Sequence, residues 1–386
     1  MNHHKAIKGL TVLLIVLIVA AGVVLYTLYG TYKAIKDNPM AAFATPQASA
    51  VASDDLKFDN NANVETVTID GKTYQKKQNV VTVLMLGIDS DGSAAKNAQG
   101  ERSDMMMLCT VDMDANTIEL TSLPRDTRTT VHDVDTKTGK IKDKTWVTKL
   151  NHAYNRGGGQ NKYGAENAMR ATEDLIECDG QLSIPVSYFV SIDLEHLSDL
   201  ADALGGVEVT LDQDYPDIGS KGDTITLEGN NVRLYLQNRK QMDDGEMSRQ
   251  KHEQDFMMAI AKKIKKLGAV ESASRLFTQL QDVVKMDLNL DQIVGMAGVL
   301  DKVSLDEIKR NSFTENYKMM NDELMGQDLD FFVMDEDELM DMMLEMYYTP
   351  VDGGSASAAG QDDADASASA KASAASKGSK LNSSDD

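Results

Sequence analysis

Three apolar runs set the architecture of this chain. Asn79 to Ile88, a second run beginning near Met105, and Thr117 to Leu123 lack the polar alternation of a sheet with one wet face. Runs of this kind suit strands buried on both faces. The first stops at Gly87-Ile88-Asp89 and the third at Pro124. Helical spacing follows: Ala165, Ala168, Met169, Thr172, Leu175 and Ile176 fall on one stripe after the loop GGGQNKYG. SYFVSID then reads as a strand, LEHLSDLADAL as a helix capped by Gly205-Gly206, and GVEVTL as a strand. Met257, Ile260, Ala261, Ile264 and Leu267 mark an amphipathic helix from Phe256, with Arg249 just before its start. Helices over about Glu271–Val284 and Leu290–Val303 follow, then a strand and helix in DFFVMDEDELMDMMLEMYY. Strands alternating with helices predict an α/β layered domain.

The charges that matter stand where the predicted strands end in loops. LMLGIDS, ERSD, LPRDTR and NRKQMDDGEMSR hold Arg102, Arg125, Arg128, Arg239 and Arg249 interleaved with Asp89 and Asp104. A chain of formal net charge -22 has little general reason to gather guanidinium groups there. The arginine fork matches phosphate oxygens, and two nearby carboxylates can hold a divalent cation, so the pattern points to a pyrophosphate-and-metal site. Each residue also has a plainer reading. Asp89 could cap a turn, Arg125-Asp126 could be an internal salt bridge, and Arg249 could be a solvated helix-start residue. Other site patterns are weaker. GGGQNKYG lacks the spacing of a P-loop and reads as a flexible rim. The six histidines are scattered, without metal-ligand spacing, and no GxSxG elbow occurs. The many methionines read as core, with a subset suited to flexible apolar ligands.

Between Lys8 and Lys33 there is no charge, and Leu10 to Tyr29 is apolar and long enough as a helix to span the hydrocarbon layer. The basic leader MNHHKAIK places the N-terminus in the cytoplasm and the remainder outside the cell membrane. A cleaved signal peptide is the alternative, but its apolar region is normally shorter. The expected division is a cytoplasmic leader at 1–9, a single-pass transmembrane anchor at 10–32, an extracellular tether at 33–78, the main domain at 79–348, and a Ser/Ala/Asp-rich disordered tail at 349–386. Within the tether, alternating residues around Asp70-Gly71 predict a hairpin. The acidic balance argues against a nucleic-acid partner. Cys109 and Cys178 are read with a bridge and two separate thiols both open.

The segments VTVLMLGIDS, GERSDMMMLCTVD, TIELTSLPRDTR, TKLNHAYNRGGG, LADALGGVEVTL and NRKQMDDGEMSRQ resemble, in order and spacing, the LytR-CpsA-Psr (LCP) family. The resemblance covers about 79–266, more weakly to 348. It implies a three-layer α-β-α domain with a central mixed sheet enclosing a greasy tunnel, after one N-terminal membrane helix. The implied activity is a membrane-anchored, extracytoplasmic phosphotransferase. It would move a glycopolymer, such as teichoic acid or capsular polysaccharide, from a polyprenyl-pyrophosphate carrier onto peptidoglycan.

By the same resemblance, Asp89 and Asp104 would position Mg²⁺ (or Mn²⁺), while Arg102, Arg125, Arg128, Arg239 and Arg249 would clamp the pyrophosphate. Asp104 or Asp126 would orient or deprotonate the acceptor hydroxyl, and Lys149 and Asn151 are weaker site candidates. Two positions depart from the family pattern: Gln237 and Glu246 stand where arginines are common. Those departures support one alternative, a non-catalytic protein that binds polyprenyl phosphate or wall polymer; a lipid-pyrophosphate pyrophosphatase with water as acceptor is another.

Overall fold

The computed structural model describes residues 30, 33–35, 38–43, 66–90, 100–237 and 245–351. The anchor expected over 10–32 lies outside these residues except for Gly30, and Arg239 lies outside them too. Among the described residues no helix is long and apolar enough to cross a membrane.

In chain order, β1 (Thr66–Ile69) and β2 (Lys72–Lys76) precede β3 (Val80–Asp89), β4 (Arg102–Asp112) and β5 (Thr117–Ser122). A second hairpin, β6 (Arg128–Val134) and β7 (Ile141–Lys149), leads into α1 (His152–Arg156), α2 (Gly164–Ile176) and β8 (Tyr188–Asp193). Next come α3 (Leu197–Ala203), β9 (Val207–Thr210), β10 (Thr224–Leu227), α4 (Asn230–Gln237) and α5 (Gly245–Leu267). They are followed by α6 (Ala269–Leu280), β11 (Val284–Met286), α7 (Leu290–Lys302) and β12 (Lys309–Asn311). The described chain ends with β13 (Tyr317–Asp322), β14 (Gln327–Phe332), α8 (Glu336–Tyr347) and β15 (Tyr348–Pro350).

The central sheet has six strands in the order β11-β8-β3-β4-β5-β12. It is mixed: β3 runs antiparallel to β4 but parallel to β8, and β12 lies parallel to β5. Side-chain alternation sends Leu84, Leu86 and Ile88 of β3 with Met106 and Leu108 of β4 to one face, against α1, α2 and α8. Val81, Val83, Met105 and Met107 go to the other face, against α5 and α7. Both faces are therefore dry, which is why these strands read as continuous apolar runs. A third cluster packs β9, β10, α3 and α4 onto α5 through Tyr215, Tyr235 and Phe256.

Caps and turns fix the junctions. After α3, Gly205 and Gly206 both take positive φ, and their N–H groups donate to Asp202 O and Ala201 O, a Schellman closure. Lys265 near the end of α5 donates to the carbonyls of Leu300, Asp301 and Val303, capping α7 with an ammonium. The Asp70-Gly71 turn closes β1 onto β2, and β2 pairs on its other side with β15. The hairpin is thus built into the folded body, and that body continues through Thr349 and Pro350, past the expected start of the tail.

Three expectations need correction. The helix carrying Arg249 begins at Gly245, so this arginine is inside it rather than before it. The helix expected over 271–284 ends at Leu280, and Val284 opens β11. The GGGQNKYG segment is a tightly wound loop, not a flexible rim. A Cβ on Gly157 would lie 2.2 Å from Tyr163 O, and the Tyr163 N–H donates back to Gly157 O at 3.0 Å.

One local irregularity prepares the site. The β3–β4 register pairs Gly87 with Met105 but Ile88 with Ser103, so Asp104 is an extra residue, a β-bulge. The close approach there requires glycine: a Cβ on Gly87 would meet Met105 Cβ at 2.8 Å and Leu194 Cδ2 at 2.5 Å. Gly87→Ala is expected to cost ~1–3 kcal/mol by overpacking, measured as a lowered urea midpoint at unchanged m-value.

Candidate functional site

Ligand sites in α/β sheets favour the carboxyl ends of parallel strands. Here β3 and β8 run parallel and end side by side, Ile88 opposite Asp193, with Asp89 one residue on. A cavity of about 540 Å³ lies there. Asp89, Arg102, Asp104, Arg125, Asp126 and Arg249 all line it, so residues far apart in sequence meet as expected. Lys149 and Asn151 line it as well. Arg128 does not: it is exposed at the start of β6, paired in register with Lys149.

Asp104 is the hub. The bulge leaves its carboxylate buried, where Oδ2 accepts from Arg125 Nη1 at 2.6 Å and Oδ1 from Asn151 Nδ2 at 3.2 Å. Asp126 takes Lys149 Nζ at 3.0 Å and lies 3.8 Å from Arg125 Nε. The internal ion pair that the sequence allowed at Arg125-Asp126 is therefore loose, and the tight partner is Asp104. The Nε atoms of Arg102 and Arg125 are buried without a hydrogen-bond partner among the described residues. Buried donors are normally satisfied, which sets these two apart.

Arg249 behaves differently. Glu246, Arg249 and Glu253 share one helical face of α5, spaced three and four residues apart. Arg249 is buried, donates through Nε to Glu246 Oε2 at 3.0 Å, and lies 3.2 Å from Glu253 Oε1. Its Nη2 also donates to Glu246, and its Nη1 to the main-chain carbonyl of Asp104. It is a buttress beneath the bulge, not a solvated helix-start residue. Glu246, which departs from the family pattern, is absorbed by this pair. The lining is accordingly mixed in sign rather than a cationic cradle, with Asp193, Glu195 and Glu253 as well as Arg233 and Lys149.

Several lining residues escaped the sequence reading. Asp193 ends β8 as Asp89 ends β3, and its carboxylate accepts from Glu195 N at 2.9 Å and from the Ser90 hydroxyl. Burial pushes its carboxyl above the usual range, and nearby Asp89 adds to this. A carboxylate closing an apolar strand was the available signal. His152 opens α1, and burial holds its imidazole down to about 4. Met325, Gln327 and Leu329 come from the β13–β14 hairpin, which forms a further wall.

Among the described residues no group of three His, Cys, Asp or Glu side chains is poised to hold a metal. A hard cation that keeps waters and takes phosphate oxygens would need only one or two protein carboxylates, and Asp89 and Asp104 are carboxylates lining the cavity. A separate apolar cavity of about 290 Å³ lies between the second sheet face and α5–α7, lined among others by Met85, Met257, Ile264, Leu276 and Met296. It shares no lining residue with the polar cavity. The cysteines are both free; burial pushes the Cys109 thiol up to about 12.

The LytR_cpsA_psr family model matches residues 42–347. A teichoic acid transferase TagU from Enterococcus faecalis is 32% identical over 245 residues, covering 61% of this chain and 72% of the relative. TagU from Bacillus mycoides is 30% identical over 245 residues, covering 62% and 69%. Both carry the full name polyisoprenyl-teichoic acid–peptidoglycan teichoic acid transferase. Among solved structures, the Lin1025 protein from Listeria innocua superposes with a TM-score of 0.51 at 27% identity, covering 70% of this chain and 98% of that one.

Two outcomes follow from this geometry. Arg249→Met strands two carboxylates on a buried face and is expected to cost ~3–5 kcal/mol, measurable by chemical denaturation. His152 yields a pH dependence of stability. Its folded value lies below the ordinary 6.5, so stability present above pH 6.5 is lost as pH falls towards about 4, roughly 3 kcal/mol in all. His152→Gln should flatten that acid limb in a plot of Tm against pH.

Proposed function

Because this chain belongs to the LytR_cpsA_psr family, we propose that it transfers a glycopolymer from a polyprenyl-pyrophosphate carrier to peptidoglycan. The observation that carries this reading is the pair of buried guanidinium Nε atoms of Arg102 and Arg125 that make no hydrogen bond among the described residues, on side chains in one cavity with Asp89 and Asp104. The names of the TagU relatives describe a transfer of this class. On this reading the main domain works outside the cell, held at the membrane by the apolar segment at 10–32, with the carrier's prenyl chain in the apolar cavity.

Attack on a pyrophosphate builds charge on the bridging and non-bridging oxygens, and preorganised donors stabilise it without reorganisation. Arg102 and Arg125 are those donors. Asp104 aims the Arg125 fork, Asn151 braces Asp104, and Arg249 holds the bulge from below. Asp126 sets Lys149 beside the same oxygens. Since Asp104 and Asp126 each already hold a cation, they orient the clamp rather than take up a proton. Arg239 belongs to the proposed clamp by family resemblance. Arg128 lies outside the cavity and is left out of it. Mg²⁺, held by Asp89 and Asp104, would supply charge neutralisation on the pyrophosphate oxygens.

A second reading, binding without turnover, draws on Glu246, which occupies Arg249 and keeps that cation from a phosphate. Full-length protein incubated with a polyprenyl-pyrophosphate glycopolymer, peptidoglycan and Mg²⁺ separates the two. Transfer predicts a covalent polymer–peptidoglycan product; carrier bound with its pyrophosphate intact supports binding alone, and cleavage to free polymer phosphate points to water as acceptor. Arg125→Lys keeps a cation beside Asp104 but loses the planar fork. It is expected to lower the transfer rate ~10²–10³-fold with Tm nearly unchanged.

A further inference from the structure

Thr148, His152 and Asp322 form a buried relay that the chemistry above does not use. Threonine has a single hydroxyl proton. Thr148 donates it to Asp322 Oδ2 at 2.8 Å, which leaves Oγ1 to accept, at 2.6 Å, from His152 Nδ1. Asp322 is itself fixed, because Oδ1 accepts from the N–H groups of Leu324 and Met325 at 2.9 and 2.8 Å. The hydrogen-bond directions therefore assign the ring proton to Nδ1. Nε2 is left as an acceptor on a side chain that lines the polar cavity.

We propose that His152 Nε2 receives the proton of the acceptor hydroxyl as that oxygen attacks phosphorus, with Thr148 and Asp322 as positioning residues. The proposal rests on the transfer reading and names its proton acceptor. The acceptor O–H bond breaks and its proton passes to Nε2. The oxygen's electron pair forms the new O–P bond. The bond from that phosphorus to the bridging oxygen breaks, and its electron pair leaves with the polyprenyl phosphate. The imidazolium then returns the proton to the departing phosphate, so no further reactant is needed.

The surroundings tie this role to the donor. Asp322 on β13 and Asp126 after β5 favour a charged ring, whereas burial, Arg102 on β4 and Lys149 on β7 oppose it. A pyrophosphate seated against Arg102 and Lys149 brings negative charge against the opposing cations. The ring becomes more basic when the donor is in place and stays neutral when it is not.

The test uses the full chain, labelled with ¹⁵N-histidine, together with transfer kinetics. Long-range ¹⁵N–¹H correlation should show His152, identified by loss of its signal in His152→Gln, as the Nδ1–H tautomer, and Thr148→Val should disturb it. His152→Ala should lower kcat ~10²–10⁴-fold, leave the donor KM unchanged, and recover partly with added imidazole. If His152→Ala is poorly folded, His152→Gln carries the kinetic comparison. An Nε2–H tautomer, a wild-type kcat in the variant, or a loss confined to KM overturns the proposal. A wild type that transfers nothing overturns the transfer reading, and the tautomer then judges the His152 arrangement by itself.

Discussion

The grip on Asp104 is the constraint from which the site is built. Its side chain holds Arg125 from the β5–β6 connection and Asn151 from the start of α1, while its main-chain carbonyl is held by Arg249 from α5. Three separate parts of the chain are thereby registered against one strand. The bulge makes this possible: in a regular ladder Asp104 would be opposed by a β3 residue. Gly87, lacking a side chain, lets Met105 and Leu194 close over the irregularity.

Electrostatically the cavity balances itself. Buried guanidinium groups would repel one another and be costly to desolvate without carboxylates beside them. Asp104, Asp126, Glu246 and Glu253 supply that compensation, each with a named partner. The arrangement leaves the Nε donors of Arg102 and Arg125 without a hydrogen bond among the described residues. Arg249 illustrates the division of labour, since its charge is spent on the protein.

Much of the fold was legible because burial on both faces writes itself into composition. The runs at 79–88 and 117–123 became β3 and β5 within a residue or so. The start of α5 was not legible, because Gly245 to Ser248 carry no apolar periodicity that would extend the stripe beginning at Phe256. The Gly157–Gly159 run suggested looseness, whereas its glycines serve close backbone approach. In the site, strand-end charges marked Asp89, Asp104 and Arg125, which line the cavity, and also Arg128, which is exposed at the start of β6 and does not line it. His152 was hidden for a different reason: Asp322 lies 174 residues from Thr148, and only β13 packing beside β7 brings the relay together.

Helix α5 is pinned at both ends. Its first turns clasp the bulge through Arg249, and Lys265 in its last turn grips the carbonyls that finish α7. Its 23 residues make a rod of roughly 34 Å. Met257, midway along, and Ile264, in its last turn, belong to the wall of the greasy chamber. The shaft is thus common to both compartments, and any tilt that makes room for an oily guest must also move the footing on which Asp104 stands.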